Sequence, residues 1–249
     1  MVKRIYPNSS DFENLSRLRT EVAPAANNFD YSQVVVRKPW GYEYLWHQSA
    51  AVAVWMLHLT AGAGTSMHCH ARKRTSLIVM AGAVECSTFD DRHRLGPGQA
   101  VVLEPCVFHT TLAVADGGAV VMEVETPPLK GDLMRFRDNF GRAGKGYEDA
   151  SQCSTDLAAF DYAPLQNISH GGAGFKFKQT RLQYRSFSSG AELTAHLRPE
   201  GLVVPFLGQL AMGRKLVADI GEAVSVQKLS GNKLPPEFPP VELLQVSCA

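Results

Sequence analysis

The stretch GAGTSMHCHARKRTSLIVMAG, residues 62–82, decides the fold because it places two histidines on one strand between glycine-marked turns. Side chains alternate between the two faces of a strand, so His68 and His70 project to the same side. His109 follows later, after a glycine-punctuated hairpin and two further apolar runs. This is enough chain for a small β-barrel to fold back and bring a third imidazole to the first two.

Three neutral imidazoles that converge on one point are suitable ligands for a divalent ion such as Zn²⁺, Mn²⁺, Ni²⁺, Co²⁺ or Fe²⁺. Three protein ligands leave coordination positions open for water or substrate, which is typical of a reactive metal site. Cys69 stands between the two strand histidines and should face away from them. The sequence therefore predicts an open site for one divalent metal ion with His68, His70 and His109 as its ligands.

The composition of the 249-residue chain argues against several classes of partner. The net charge is +1 and 20% of residues are charged, without a long Lys/Arg run that would indicate nucleic acid or an anionic membrane. No apolar run reaches membrane-spanning length, and Met1–Asp11 lacks the apolar core of a signal peptide. Five cysteines without a paired spacing suit a reducing compartment. We therefore expect a cytoplasmic protein that binds a small molecule.

Short β-rich runs follow one another from Val34 onward, with glycines between them. Their bounds are Gly41–His47, Ala51–Thr60, Ser76–Met80, Ala83–Phe89, Gln99–Leu103 and Ala119–Thr126. Many short strands at regular spacing, separated by turn residues, are typical of an all-β barrel or sandwich. Before them, Ser10-Asp11-Phe12-Glu13 has the pattern of a capping box that opens a short helix.

These patterns divide the chain into three parts. They are an N-terminal helical arm (residues 1–30), a β-barrel with the metal site (residues 31–148) and a smaller β-rich domain (residues 149–249). In the last part, residues 201–210 are similar to 76–84, and residues 219–224 are similar to 96–101. The set of metal histidines has no counterpart there. We therefore expect the third part to be a degenerate second barrel without a metal site.

The residues around the histidines resemble the two sequence motifs of the cupin superfamily. The first motif, G-x5-H-x-H-x3,4-E-x6-G, is approached by Gly62 or Gly64, His68, His70 and Gly82. The second, G-x5-P-x-G-x2-H, is approached by Gly98, Pro105 and His109, without its internal glycine. The usual glutamate ligand falls on Thr75, whose hydroxyl is a poor metal ligand. The resemblance implies a jelly-roll barrel whose metal is held by three histidines and solvent.

Both ends of the barrel segment are similar to the type II mannose-6-phosphate isomerase cupins. Lys38-Pro39-Trp40-Gly41 resembles the family's opening segment, and Glu123–Thr126 with Asp132–Arg142 resembles its closing segment. The likeness covers about residues 34–142 and aligns the family's Gln-x-His pair with His68 and His70. It implies a metal-dependent isomerase or epimerase that acts on a sugar phosphate or an activated sugar. The altered metal shell leaves the substrate and the reaction open.

An isomerase of this type needs a base that moves a proton between neighbouring carbons, and groups that hold the substrate. The candidate bases are Glu123, Glu125 and Lys73. The candidate substrate-binding residues are Arg72, Thr75, Arg135, Arg142 and Trp40. Guanidinium groups suit phosphate oxygens, and an indole ring can stack on a sugar face.

Two other functions fit the same residues. A three-histidine site without a carboxylate is compatible with a non-haem iron dioxygenase, in which substrate and O₂ fill the open positions. Loss of the glutamate, together with a degenerate second half, favours a non-catalytic sugar-binding cupin. Because exposed strand edges of such barrels invite another copy of the chain, we expect a homodimer.

Overall fold

Two β-sheets close into a barrel in the N-terminal part of the chain. The computed structural model describes residues 1–18, 29–142, 147–148, 150–163, 174–231 and 234–249. The strands of this part are β1 (Val2–Ile5), β2 (Val35–Lys38), β3 (Gly41–Gln48), β4 (Ala53–Leu59), β5 (Met67–Cys69), β6 (Arg74–Gly82), β7 (Val84–Ser87), β8 (Arg92–Leu95), β9 (Ala100–Leu103), β10 (Thr110–Ala113), β11 (Ala119–Thr126), β12 (Met134–Arg137) and β13 (Cys153–Ser154). Residues 19–28 of the predicted arm, and residue 149 at the predicted domain boundary, lie outside the described residues.

The larger sheet has eight strands in the order β1-β9-β6-β11-β4-β3-β2-β13. The opposite wall consists of the sheet β10-β7-β8 and the pair β12-β5. Two isolated bridges, Gly64–Leu112 and His68–His109, connect the chain around β5 to the chain around β10. The predicted all-β barrel is therefore confirmed. His68 and His109 lie in its smaller wall, where the segment around β5 meets the segment around β10.

Alternation along β11 decides which side chains enter the barrel. Val121 packs in the cluster that fills the barrel, and Glu123 and Glu125 point to the same side. Met122 and Val124 point to the other side, into a second apolar cluster. The larger sheet is therefore buried on both faces, and its acidic residues on β11 face inward.

The outer face of the larger sheet is covered by a second β unit. Its elements are β14 (Phe175–Phe177), β15 (Thr180–Phe187), α2 (Gly190–His196), β16 (Leu202–Leu207), β17 (Leu210–Met212), β18 (Lys215–Ala218), β19 (Val224–Ser225), α3 (Val226–Ser230) and β20 (Val241–Cys248). Five of them form a sheet in the order β14-β15-β20-β16-β19, from which Leu182, Val204 and Leu244 pack against the barrel. These elements lie within residues 149–249, and both the division into domains and the origin of this part as a degenerate cupin stay predictions.

The N-terminal segment contributes a strand as well as the expected helix. The N-cap of helix α1 (Ser9–Arg17) is Asn8, two residues before the predicted Ser10, and Asp11 is its reciprocal partner in the capping box. Ahead of it, β1 pairs in parallel with β9, so the first residues of the chain are part of the barrel sheet. Among the described helices, none has the length and apolar content that crossing a bilayer requires.

A tight turn fastens the C-terminal unit to the barrel. The Ser76 hydroxyl donates to the Gly221 carbonyl at 2.7 Å, and the backbone N–H of Ala223 donates to the Ser76 oxygen at 3.1 Å. Gly221 has φ 72°, and a Cβ atom added there would lie 1.8 Å from Oγ1 of Thr126. Both the backbone conformation and the space at this position therefore require glycine.

Replacing Gly221 with alanine should lower the free energy of unfolding by about 3 kcal/mol. The cost of a non-glycine residue at positive φ adds to the cost of the clash between its Cβ and Thr126. Gly213→Ala is the matched control. It has φ 58° but no atom within 4 Å of the added Cβ, so it should cost about 1 kcal/mol. Urea unfolding of the two variants measures the difference. Equal losses would mean that the contact with Thr126 does not restrain the turn.

Candidate metal centre

A backbone pair sets the position of two of the three histidines. The His68 N–H donates to the His109 carbonyl at 3.0 Å, and the His109 N–H donates to the His68 carbonyl at 2.8 Å. His68 lies on β5, and His109 directly precedes β10. Residues that exchange both hydrogen bonds stand opposite each other with their side chains on one face. Their ring centroids are accordingly only 4.3 Å apart.

His70 completes the group from the residue after β5. Its ring centroid lies 5.0 Å from that of His68 and 5.6 Å from that of His109. One ligand nitrogen from each ring lies within 4.8 Å of the others, and all three residues are buried. The structure thus brings together the three histidines that the sequence predicts as ligands.

Each imidazole is oriented by a hydrogen bond to a backbone carbonyl. Nδ1 of His68 lies 2.8 Å from the Ser66 oxygen, and Nδ1 of His109 lies 3.0 Å from the Val107 oxygen. Nδ1 of His70 lies 2.5 Å from the Asp132 oxygen. A carbonyl can only accept, so Nδ1 carries the proton in every ring and Nε2 keeps its lone pair. This is the outer hydrogen bonding that metal-bound histidines use.

The electrostatic state of the rings also suits a metal ion. Burial lowers the pKa of His68 and of His70 well below the ordinary range, with further lowering by neighbouring positive groups. Burial lowers the pKa of His109 to about 4. All three rings are therefore neutral at pH 7 and offer lone pairs. Nε2 of His70 is buried without a hydrogen-bond partner among the described residues. An orphaned acceptor at this position fits a metal ligand.

Asp132 fixes the turn that follows His70. Its carboxylate accepts the backbone N–H groups of Ala71, Arg72 and Lys73 at 3.1, 2.8 and 3.0 Å. Its own carbonyl accepts the proton of His70 Nδ1. One buried aspartate therefore orients a metal-site imidazole and the start of β6 together. The sequence contained this residue in the closing segment, but its spacing from His70 carried no signal of this contact.

Carboxylates are absent from the ligand group in the part of the chain that the structure describes. Thr75, at the position of the usual glutamate, lies on β6 and is fully buried. Its hydroxyl oxygen has no hydrogen-bond partner among the described residues. The arrangement is therefore three imidazoles without a charged ligand.

The arrangement of sheets and histidines establishes the fold. Strands β5 and β10 bring the two motif segments together inside a closed β-barrel, with the imidazoles facing its interior. The barrel has the all-β architecture that the cupin resemblance implies.

Solved structures give partial matches to this chain. KdgF from Halomonas sp. is 22% identical over 36% of this chain and 81% of its own, with a TM-score of 0.35. A sugar phosphate isomerase from a cupin superfamily, from Silicibacter pomeroyi, is 20% identical over 34% of this chain and 58% of its own, with a TM-score of 0.32. An uncharacterised Klebsiella pneumoniae protein with a double-stranded β-helix domain is 14% identical over 39% of this chain and 84% of its own, with a TM-score of 0.35. The sequence matches no protein-family model and no curated protein.

The three histidines line a cavity inside the barrel. Its other ionisable or charged lining residues are Lys38, Glu43, Lys73, Glu123, Glu125, Lys130, Arg135, Arg142 and Tyr147. Such a lining suits a small polar molecule better than an apolar one.

Glu123 is the carboxylic acid of the cavity whose pKa is raised. It is 8% exposed and has no hydrogen bond to another described side chain. Burial, and next the charge of Glu125, raise its pKa to about 7, against the opposing effect of Lys130 and Lys73. Glu125 instead accepts from Nζ of Lys73 at 2.5 Å in a fully buried ion pair. All three predicted base candidates therefore line one cavity, and Glu123 exchanges protons near neutrality.

The predicted substrate-binding residues divide into two groups. Trp40, Arg135 and Arg142 line the cavity. The side chain of Arg72 is 67% exposed and approaches Asp132 only to 4.0 Å, outside the cavity lining. The reason is its place on the turn after His70, where the chain leaves the barrel wall. Thr75 is buried on β6, opposite Glu125 in the strand register, and does not belong to the cavity lining.

Sequence reasoning missed the charged residues that surround the two arginines. Lys38 contacts Glu43 at 3.4 Å and also pairs with Glu148, and Lys130 contacts Glu43 at 3.0 Å. Although burial alone would raise it, Lys130 and Lys38 lower the pKa of Glu43 to about 2. Nζ of Lys130 also lies 3.4 Å from the centroid of the Trp55 ring. Lys38 precedes Pro39-Trp40 in the opening segment, which was the one signal available for this network.

Glu123→Gln should gain stability over the native chain as pH rises. The pKa of Glu123 is about 7 when folded against an ordinary 4.5, so the folded protein holds this proton more tightly. The stability that this tighter proton binding contributes is full below pH 4.5 and is lost as pH rises through 7. The free energy of unfolding falls by about 3 kcal/mol over this range. Glutamine does not titrate, so the variant does not lose this stability as pH rises.

Urea unfolding of metal-free protein between pH 5 and pH 8.5 measures this effect. Glu85→Gln is the control, because Glu85 is 29% exposed and contacts only Arg92 among the described cations. The same pH series on this variant shows how the loss of a carboxylate outside the cavity affects stability. A difference for Glu123→Gln that does not change with pH would contradict the raised pKa.

Proposed function

We propose that this protein is a metal-dependent isomerase or epimerase that acts on a sugar phosphate or an activated sugar. The observation that carries the proposal is Glu123, a buried carboxyl group with a pKa of about 7 in the cavity of the three neutral histidines. A group with this pKa can both accept and return a proton at neutral pH. This is what proton transfer between neighbouring carbons requires.

The three histidines would hold the divalent ion, and when bound it supplies Lewis-acid polarisation of the substrate carbonyl. Carboxylate Glu123 accepts the proton from the carbon next to the carbonyl and returns it to the former carbonyl carbon. The hydroxyl proton on the carbon that lost its hydrogen passes to the former carbonyl oxygen, so no net proton is gained or lost. Lys73 has further N–H groups beside the one that Glu125 accepts, and these can hold a substrate oxygen.

Glu125 supports Glu123 through charge. It is 2% exposed and its ion pair with Lys73 keeps a carboxylate close to Glu123. This like charge is one of the causes that keep the pKa of Glu123 near 7. The pair therefore positions a donor and tunes the base at the same time.

A non-haem iron dioxygenase is the second candidate. It is favoured by the absence of a carboxylate from the ligand group among the described residues, because such a set leaves positions open for both substrate and O₂. Non-catalytic sugar binding uses the same cavity without proton transfer. A homodimer and a cytoplasmic location remain predictions in each case.

His68→Ala and His109→Ala should each lower the bound metal from about one ion per chain to near zero. Each change removes one of three ligands from a site to which the described residues contribute no charged ligand. Elemental analysis of the protein, before and after reloading with each divalent ion, measures the result. His93→Ala is the control, since His93 contacts Lys3 at the surface. Stoichiometric metal in the two ligand variants would remove these histidines from the site.

Glu123→Gln should lower the rate of substrate isomerisation about 10³-fold, because the amide cannot exchange the carbon-bound proton. The assay follows deuterium incorporation from D₂O into a panel of sugar phosphates and activated sugars under anaerobic conditions. Glu85→Gln is again the control. Deuterium exchange that persists in the Glu123 variant would assign the base elsewhere.

Two further outcomes of that assay decide between the candidates. Activity that requires O₂ together with stoichiometric iron would replace the isomerase by the dioxygenase. Saturable ligand binding without exchange or O₂ uptake, in fully metal-loaded protein, would leave a binding protein.

A further inference from the structure

Three cations converge on one buried carboxylate at the wall of the cavity. Glu148 Oε1 accepts from Arg142 at 2.7 Å and from Arg135 at 3.2 Å, and Oε2 accepts from Lys38. The side chains of Lys38, Arg135 and Arg142 are 3, 4 and 12% exposed. Both oxygens of a single monoanion are thus used to hold three positive groups.

Two further carboxylates among the described residues contact the same cations. They are Glu43 on Lys38 and Asp138 on Arg142, the latter at 2.7 Å. Glu43 is also shared with Lys130. Cations that share a carboxylate keep N–H groups that a further anion can accept.

The cluster faces the reaction cavity. Lys38, Arg135 and Arg142 line the cavity together with His68, His70 and His109, whereas Glu148 does not belong to that lining. Two guanidinium groups and an ammonium on one centre match the oxygens of a phosphoryl group, which carries more charge and more acceptors than a carboxylate.

Resting on the proposed function, we propose that Lys38, Arg135 and Arg142 form the subsite for the phosphoryl group of the substrate, and that the Glu148 carboxylate is an internal competitor for it. A phosphate dianion takes over contacts that Glu148 holds, and the binding energy is reduced by the contacts it replaces. Removing the negative charge of Glu148 therefore strengthens phosphate binding. If Glu148 served only to hold the cations in place, removing it would weaken binding.

The test is isothermal titration of metal-free protein with inorganic phosphate, and with pyrophosphate for the linkage of an activated sugar. In Glu148→Gln, the Kd for one of these probes should fall at least about tenfold relative to the native chain. Adding Arg142→Gln to this variant should reverse most of the gain. Glu222→Gln is the matched control, because Glu222 is also buried and paired with an arginine, Arg4, outside the cavity lining. Its Kd should equal the native one.

Glu148→Asp is a second variant for the case that Glu148→Gln does not fold. It keeps the charge, but its carboxylate is one methylene shorter and cannot maintain all three contacts, so the Kd should shift in the same direction by less. Unchanged or weaker binding of both probes in Glu148→Gln, or in Glu148→Asp if the former does not fold, overturns the proposal. Equal tightening in Glu222→Gln overturns it too.

The metal-free titration separates this subsite from the catalytic proposal. Tighter phosphate binding in protein whose metal-loaded form shows no proton exchange would keep the subsite and remove the isomerase. Exchange with unphosphorylated sugars, together with no phosphate binding in any variant, would keep the isomerase and remove the subsite.

Discussion

The reciprocal backbone hydrogen bonds between His68 and His109 are the constraint on which the site depends. They join two segments that are distant in sequence, and they do so at the residues that carry the imidazoles. A hydrogen-bonded antiparallel pair puts both side chains on one face at short range. The ligand geometry is therefore a property of the barrel wall. The Nδ1 hydrogen bonds then only have to set the rotation of each ring.

The interior of this barrel contains carboxylates that are paired with lysines and one carboxyl group, that of Glu123, that has no salt bridge among the described residues. Lys73 and Glu125 neutralise each other, and Glu43 is held by two lysines. Glu123 faces the same space on the same strand as Glu125, and no cation of the described chain forms a salt bridge with it. Burying an unpaired carboxylate destabilises a protein, so the group keeps its proton to higher pH. The barrel tolerates this cost because both faces of its larger sheet are packed, the outer one by the C-terminal unit.

The sequence allowed prediction of features that repeat with a strand period or follow a local motif. β11 was predicted with its observed bounds, and the histidines were placed on one face by alternation. β1 was missed because its four residues, two of them basic, show no apolar pattern and are held by pairing with β9. The Glu148 cluster was missed for a related reason. Its members are separated by up to 110 residues, and ion pairing between such distant positions has no period.

Location of a charge in the fold decides its role more than its residue type does. Arg72 and Arg135 are both arginines near the metal histidines. Arg72 lies on a turn held by Asp132 and reaches solvent. Arg135 pairs with His68 in the strand register of β12 and β5, which turns its side chain into the cavity. Strand pairing therefore sets histidine and arginine opposite each other across neighbouring strands. A ligand that reaches both joins a metal-binding group to an anion, as the proposed sugar phosphate does.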